Sequence, residues 1–332
     1  MSELRLVFLE LTKRCNLNCA HCRAGAGRSP EGELSEDEVL GLVDELASFA
    51  RPLLILTGGE PLMREDTLKV ASYASERGLP VALATNGTLI DRRIAEDIRA
   101  SGVRRVSVSL DGSEPRVHDR IRGVEGAFEA ALSGIGHLRE CGVEVQVNTT
   151  LTRQNVSELP KILELCLDLG LQALHLFMLV PVGCGMEIEE SDQLSPEEYE
   201  EVLRWLNSKS REVAIELKAT CAPQYFRIAG VDSRRRLGCL AGVSVCFVSN
   251  IGDVQPCGYL PVVVGNIRER SIEEIWEEAD AFRALRDPER LKGKCGICEY
   301  RYVCGGCRAR AFAESGDFLD EEPRCIYTPG EG

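Results

Sequence analysis

The chain has 332 residues, of which 44% are hydrophobic, and a formal net charge of −14 at pH 7. This length predicts one large domain with an appendage, and the acidic charge argues against a nucleic-acid or acidic-membrane partner. No apolar run approaches the roughly 20 residues of a membrane span, and the start, MSELRLVFLE, lacks the pattern of a signal peptide. We therefore expect a cytoplasmic protein, where clustered cysteines more often bind metal than each other.

Short runs rich in β-branched and aliphatic residues alternate with segments of helical periodicity. In chain order the runs are LRLVFLELT, LLILTGGE, VALATNG, RRVSVSLDG, VEVQVNTTL and LQALHLFMLVP. Strands that alternate with helices at this spacing predict a parallel sheet with right-handed crossovers. Six such units are too few for a closed eight-stranded barrel, so we expect an α/β fold built as a partial (β/α)6 TIM barrel.

Capping signals mark several of the predicted helices. Glycines suited to left-handed C-terminal caps follow four helices, at Gly78, Gly102, Gly142 and Gly170. Capping-box spacing predicts helix starts at Ser35 with Glu38, Asn155 with Glu158, and Ser195 with Glu198. A Gly-rich acidic stretch precedes the last of these starts, so we place the end of the barrel there. The expected regions are residues 1–185 (barrel), 186–235 (linker, helix and strand) and 236–332 (a small cysteine-rich domain).

Polar motifs follow the first five strands, at the end where barrel enzymes build their sites. They are the cysteine loop KRCNLNCAHC, TGGEP, ATNG, SLDG and NTT. The loop contains Cys15, Cys19 and Cys22, which can hold three irons of a [4Fe–4S] cluster and leave the fourth open to a small ligand. A zinc site is the alternative, although a closed one would need a fourth side chain.

Eight further clustered cysteines lie towards the C-terminus, and no histidine follows His175. Their paired spacings suit two four-thiolate sites, which are either iron–sulfur clusters or zinc ribbons. They are Cys239, Cys246, Cys257, Cys295, Cys298, Cys304, Cys307 and Cys325.

The Cys-x3-Cys-x2-Cys loop followed by GGE resembles the radical SAM superfamily. The resemblance implies that S-adenosylmethionine (SAM) chelates the open iron and is cleaved to a 5′-deoxyadenosyl radical, with Cys15, Cys19 and Cys22 as the catalytic ligands. The expected SAM contacts are Gly58, Gly59, Glu60, Asn86, Ser109, Asp111, Asn148 and Leu179. Asn86 and Asn148 could instead be turn residues at the strand ends, and Leu179 could instead be a core residue.

The C-terminal cysteine order resembles the SPASM extension of radical SAM enzymes. The gap between Cys304 and Cys307 has two residues where three are common, and a single auxiliary cluster or zinc stays open as an alternative. The resemblance implies two auxiliary [4Fe–4S] clusters, one held by Cys239, Cys246, Cys257 and Cys307, the other by Cys295, Cys298, Cys304 and Cys325.

Nearly the whole chain resembles the AhbD-type haem synthases, on stretches such as LHLFMLVPVGCG and CFVSNIGDVQPCGYLPVVVGNIRE. The resemblance implies oxidative decarboxylation of two propionates of iron-coproporphyrin III to vinyls, giving protohaem. The alternatives are AhbC- or NirJ-like removal of other tetrapyrrole side chains and maturation of a peptide.

The expected partners are the iron tetrapyrrole and an electron donor such as ferredoxin or flavodoxin. An anionic tetrapyrrole needs cations in an acidic protein. The candidate substrate contacts are Lys218, Cys221, Arg234, Arg235 and Arg236. The alternative for the three consecutive arginines is that they form a solvated basic loop.

Overall fold

A computed structural model describes residues 3–27, 31–231 and 237–330. Arg234, Arg235 and Arg236 lie outside the described residues. The strands are β1 (Leu6–Glu10), β2 (Leu53–Thr57), β3 (Val81–Thr85), β4 (Val103–Ser109), β5 (Glu144–Leu151), β6 (Ala173–Met178), β7 (Glu216–Thr220), β8 (Val245–Val248), β9 (Asp253–Gln255) and β10 (Gly265–Asn266).

Helices connect the strands of the barrel, and the C-terminal part is mostly short helices and loops. The helices are α1 (Glu36–Phe49), α2 (Thr67–Glu76), α3 (Arg92–Ala100), α4 (Pro115–Arg122), α5 (Ala127–Glu140), α6 (Leu159–Asp168), α7 (Glu189–Asp192), α8 (Pro196–Lys209), α9 (Tyr225–Ile228), α10 (Ile272–Glu278), α11 (Asp280–Arg286), α12 (Gly293–Ile297) and α13 (Arg308–Ser315). None of the helices in the described ranges is both long and apolar enough to cross a membrane.

The sheet confirms the predicted α/β architecture and extends it at both edges. Its strand order is β10-β9-β8-β1-β2-β3-β4-β5-β6-β7, and strands β1 to β6 are parallel, as predicted. On one edge β7, from the expected linker, pairs in parallel with β6. On the other edge β8, from the cysteine-rich region, pairs in parallel with β1. One sheet therefore runs through all three expected regions.

The predicted helix caps are present where the capping side chain contacts only its own helix. Both boxes that begin at Ser35 and Ser195 are present, and the four predicted cap glycines have φ between +59° and +82°. The predicted box at Asn155 is wrong. The Asn155 amide is fully buried and donates instead to the carbonyls of Asp111 and Thr150, both at 2.9 Å. A tertiary contact has taken the side chain that the pattern assigned to a cap.

Buried Arg310 links the cysteine-rich region to the barrel. Arg310 on α13 pairs with Glu322 at 2.9 Å, and both side chains are almost fully buried. Arg310 also donates to the Leu179 carbonyl after β6 and to the Tyr199 hydroxyl on α8, at 3.2 and 2.6 Å. Because one cation contacts three segments, removing it would leave several buried polar groups without partners.

Candidate active site

A cavity of about 1250 Å³ lies inside the barrel. Its lining joins the N-terminal cysteine loop, the ends of the strands and part of the C-terminal cysteine region. Six aromatic residues line it: Phe8, Phe177, Tyr225, Phe226, Phe247 and Tyr259. The cavity is large and mostly apolar, with a few polar groups near the cysteines, as in sites that hold a cofactor together with a substrate.

The turn after β2 supports the cysteine loop through its backbone. The amide of Gly59 donates to the Thr12 carbonyl at 2.7 Å, and that of Glu60 donates to the Arg14 carbonyl at 2.8 Å. A Cβ atom on Gly59 would lie 2.4 Å from the Arg14 carbonyl oxygen, and one on Gly58 would lie 2.6 Å from that of Thr12. Both glycines are needed because two backbone segments pass too close for any side chain.

The loop cysteines all line the cavity and fit the cluster that the sequence predicts. Their thiols are free, and each accepts one hydrogen bond: Cys15 from the Leu17 amide at 3.4 Å, Cys22 from the Ala26 amide at 3.3 Å, and Cys19 from Arg122 at 3.7 Å. Hydrogen-bonded thiolates are the usual protein ligands of iron–sulfur clusters. The donor set therefore suits a cluster with three protein ligands.

Arg122 is a site residue that sequence reasoning missed. It ends α4, is buried, and pairs with Asp111 at 2.7 Å while donating to Cys19. The amide of Asn18 in the loop donates to the Arg122 carbonyl at 3.1 Å. The Asp111 and Cys19 charges hold the pKa of Arg122 above its ordinary value, against the effect of burial. The only signal in the sequence was a basic last turn, which is common in helices.

Asp111 is fully buried and is not among the residues that line the cavity. Besides the pair with Arg122, its carboxylate accepts from the Thr150 amide at 2.8 Å and lies 3.5 Å from His21 Nε2. Despite complete burial, the neighbouring Arg122 and His21 keep its pKa below the ordinary value. Burial lowers the pKa of His21 to about 4, so the imidazole is neutral at pH 7.

Glu60 is likewise buried beneath the cavity and does not line it. Its carboxylate accepts from the amides of Leu62 and Asn86, at 3.1 and 2.8 Å, and from the Thr85 hydroxyl at 2.8 Å. Burial raises the pKa of Glu60 to about 6. In the described structure this carboxylate ties the GGE turn to the end of β3.

The other expected SAM contacts divide into two groups. Asn86, Ser109 and Asn148 line the cavity. The side-chain amide of Asn86 donates to the side-chain oxygen of Asn16 in the cysteine loop at 2.8 Å. Leu179 has 5% of its surface exposed and does not line the cavity. The carboxyl ends of β3, β4 and β5 thus meet the cysteine loop at one face, whereas Leu179 is buried outside the cavity lining.

The first C-terminal cysteine group differs from the predicted one. Cys239, Cys257 and Cys307 line the cavity together, and the Cys221 thiol is with them. A hydrogen bond from Cys221 lowers the pKa of the Cys307 thiol. Cys221 has a φ of +57°, a left-handed conformation that is rare for a residue other than glycine and common at functional sites.

Cys246, predicted as the fourth member of that group, is placed elsewhere. It is on β8 opposite Val7 of β1, is fully buried, and packs in the hydrophobic core of the barrel. Burial raises its pKa to about 12. Spacing along the chain suggested Cys246 because it falls between Cys239 and Cys257, but a strand position turns its side chain into the core.

The second group has all four predicted members. A small cavity is lined by Cys295, Cys298, Cys304 and Cys325. Amides of Glu322 and Gly306 donate to the sulfurs of Cys295 and Cys304, at 3.3 and 3.4 Å. The two groups are adjacent because the amide of Cys239 donates to the Cys304 carbonyl at 3.0 Å.

Cations are placed unevenly around the large cavity. Lys218 on β7 lines it and, among the described residues, has no carboxylate within ion-pair distance. Arg23, which follows Cys22, pairs with Glu10 at 2.8 Å and stacks 4.7 Å from the centre of the Phe247 ring. Lys218 is thus the described cation best placed to meet an added anion.

Comparisons with known proteins agree with this arrangement. Residues 9–166 match the radical SAM superfamily, and residues 239–307 match an iron–sulfur cluster-binding domain, SPASM. The structure is similar to that of Streptococcus suis SuiB bound to its precursor peptide, with a TM-score of 0.82 and 15% identity over 98% of this chain and 77% of the other. The fold and the cysteine groups define a radical SAM protein with a SPASM domain.

Two curated relatives from Methanosarcina barkeri (strain Fusaro / DSM 804) refine the assignment. An AdoMet-dependent heme synthase is 52% identical, over 98% of this chain and 97% of the relative. An Fe-coproporphyrin III synthase is 33% identical, over 98% of this chain and 88% of the relative. The chain belongs to the family of AdoMet-dependent heme synthases.

Proposed function

We propose that this protein is a haem synthase that converts two propionate side chains of iron-coproporphyrin III into vinyl groups and so forms protohaem. The observation that carries the proposal is one large cavity that reaches both the N-terminal cysteine loop and the first C-terminal cysteine group. Its aromatic walls suit a flat macrocycle, and its cations suit the carboxylates of that macrocycle.

Three groups of cysteines would hold the cofactors. Cys15, Cys19 and Cys22 would hold the [4Fe–4S] cluster that binds SAM. The first auxiliary cluster would be held by Cys221, Cys239, Cys257 and Cys307, and the second by Cys295, Cys298, Cys304 and Cys325. When bound, SAM and its cluster supply a radical that abstracts a hydrogen atom, and each auxiliary cluster can take one electron.

The residues around the loop have separate tasks in this proposal. Gly58 and Gly59 let the backbone approach SAM, while Asn86, Ser109 and Asn148 offer polar contacts from the strand ends. Leu179 is buried and would contribute to packing of the protein rather than to a direct contact with SAM. Asp111 and Glu60 are positioning residues, because Asp111 holds Arg122 against Cys19 and Glu60 holds the turn on which the glycines lie.

The stoichiometry of the reaction explains the need for an electron acceptor. Each propionate loses one hydrogen atom from its β-carbon and one carbon dioxide, and the neutral vinyl group forms only when one further electron leaves the substrate. The first auxiliary cysteine group lines the substrate cavity, so it is the nearer of the two to the departing electron.

Lys218 would bind a propionate of the substrate that does not react. Among the described residues it has no carboxylate partner, and it lines the same cavity. Arg234, Arg235 and Arg236 are proposed as further contacts on sequence alone. Reductive cleavage of SAM also needs an electron donor such as ferredoxin or flavodoxin, which fits a cytoplasmic protein.

Product analysis tests the proposal. The reconstituted protein would be incubated anaerobically with SAM, a chemical reductant and iron-coproporphyrin III, and the tetrapyrrole products would be followed by mass. We expect stepwise loss of two carbon dioxide molecules and four hydrogens, with one 5′-deoxyadenosine formed per vinyl group. Formation of 5′-deoxyadenosine with no change in the tetrapyrrole would contradict the assigned substrate.

A further inference from the structure

Gln224 is a buried amide that the proposed reaction does not use. Only 2% of the residue is exposed, and it lines the small cavity of the second auxiliary group. Neither Nε2 nor Oε1 of its side chain has a hydrogen-bond partner among the described residues. A buried amide without partners destabilises the folded state, so its presence points to a partner that occupies the cavity.

The position of Gln224 is fixed by neighbouring backbone. It caps the start of α9, where its carbonyl accepts from the amides of Arg227 and Ile228 at 3.1 and 3.2 Å. The adjacent Pro223 packs at Gly238, where an added Cβ would lie 2.8 Å from Pro223 Cβ and 2.3 Å from the Cys304 carbonyl oxygen. The segment is therefore held against a cysteine of the second group.

The same short segment reaches both auxiliary groups. Cys221 lies in the first group and Gln224, three residues later, lines the second. The cation beside Gln224 is already engaged, since Arg227 pairs with Glu200 and stacks 5.0 Å from the centre of the Tyr327 ring. Gln224 is thus a neutral donor that faces the second group.

Hydrogen bonds to sulfur are one of the means by which a protein sets the potential of an iron–sulfur cluster. The more negative, reduced state gains more from an N–H donor than the oxidised state does. Two backbone amides, those of Gly306 and Glu322, already donate to sulfurs of this group. A side-chain amide would add a donor that mutation can remove without changing a ligand.

We propose that Gln224 Nε2 donates a hydrogen bond to a sulfur of the second auxiliary cluster and raises the reduction potential of that cluster. The inference rests on the proposed assignment of a cluster to Cys295, Cys298, Cys304 and Cys325. Gln224 would act on the cofactor and not on the substrate, so the property that tests its role is the reduction potential of the cluster.

The test replaces the amide with side chains that cannot donate, in Gln224→Met and Gln224→Leu. Gln172→Met is the matched control. Gln172 is exposed, immediately precedes β6, and does not line the small cavity. Iron content and an anaerobic redox titration followed by electron paramagnetic resonance would be measured on each reconstituted protein. The signal that disappears in Cys298→Ala identifies the second cluster.

We expect full iron content in both Gln224 variants, and a fall of about tenfold in the reduced-to-oxidised ratio of that one signal at a fixed potential. For a one-electron couple this is about 59 mV. The other signals and the control should not move.

An unchanged potential with full iron content would overturn the inference. Loss of the second cluster in both variants would also overturn it, because that result would indicate a ligand or packing role for Gln224. If Cys298→Ala removes no iron, the cluster assignment itself fails, and the two failures are distinguishable.

Discussion

The N-terminal cysteine loop and the proposed first auxiliary site use the same kind of side chain but are built in different ways. The N-terminal site takes its three cysteines from one loop of eight residues, supported by the Gly58–Gly59 turn. The proposed auxiliary site takes one cysteine from each of four segments, spread from Cys221 to Cys307, and buried Arg310 links this region to the barrel through the Leu179 carbonyl.

This difference decides how each site responds to change. In the loop, sequence spacing alone brings the thiols together, and a close backbone contact holds them in place. In the auxiliary site, the tertiary structure brings the thiols together. The arrangement of its thiols therefore depends on buried polar contacts between separate segments. One of these is the hydrogen bond from the Cys307 amide to Glu322 at 2.7 Å.

The largest effect is expected in the N-terminal loop. Alanine at Cys15, Cys19 or Cys22 should abolish SAM cleavage, because a cluster with three protein ligands cannot lose one and still present an open iron. The release of 5′-deoxyadenosine would be measured, with Cys141→Ala as a control outside the site. Cleavage at the wild-type rate by any of the three variants would remove that cysteine from the ligand set.

Changes in the second auxiliary site are expected to block formation of the vinyl group without blocking cleavage of SAM. Variants of Cys295, Cys298, Cys304 or Cys325 with alanine should still release 5′-deoxyadenosine but form no vinyl group. The wild-type chain should hold about 12 irons, at four per cluster. Iron analysis and product mass would be measured together. Stoichiometric zinc without iron would contradict the assignment of all three clusters.

A smaller effect, on stability, is expected at the polar link between the two regions. Arg310→Met leaves Glu322 buried without its cation, which should lower the free energy of unfolding by about 3–5 kcal/mol. Arg283→Met is the matched control, because Arg283 and its partner Asp280 are both exposed and pair at only 3.9 Å. Anaerobic urea denaturation would compare the two. Equal midpoints would show that the link contributes little.

The smallest effect is expected for the substrate. Lys218→Met should weaken binding of iron-coproporphyrin III by about ten- to hundredfold, since a charge-assisted hydrogen bond contributes roughly 1.5–3 kcal/mol. A combined change of Arg234, Arg235 and Arg236 should act in the same direction. Affinity for SAM should stay constant, and Lys209→Met serves as the control. If porphyrin binding is unaffected in all of these variants, the residues belong to solvated surface.

Sequence reasoning was most successful where neighbours along the chain determine the result. The six barrel strands follow from their patterns, and short spacings also predict that Cys15, Cys19 and Cys22 lie together, as do Cys295, Cys298, Cys304 and Cys325. Spacing suggested Cys246 as a ligand because the pattern did not show that it lies on a strand facing the core. Arg122 and the buried side-chain amide of Asn155 were missed as tertiary contacts, because Cys19 is 103 positions from Arg122 and Asp111 is 44 positions from Asn155.

The comparison of Cys221 with Cys246 tests the account most directly. Both variants, Cys221→Ala and Cys246→Ala, would be reconstituted and given SAM, reductant and iron-coproporphyrin III under anaerobic conditions, and 5′-deoxyadenosine and tetrapyrrole mass would be measured. We predict that Cys246→Ala keeps its iron and forms protohaem, whereas Cys221→Ala loses about four irons and releases 5′-deoxyadenosine without forming a vinyl group. Full conversion by Cys221→Ala, together with loss of iron and product in Cys246→Ala, would contradict the account.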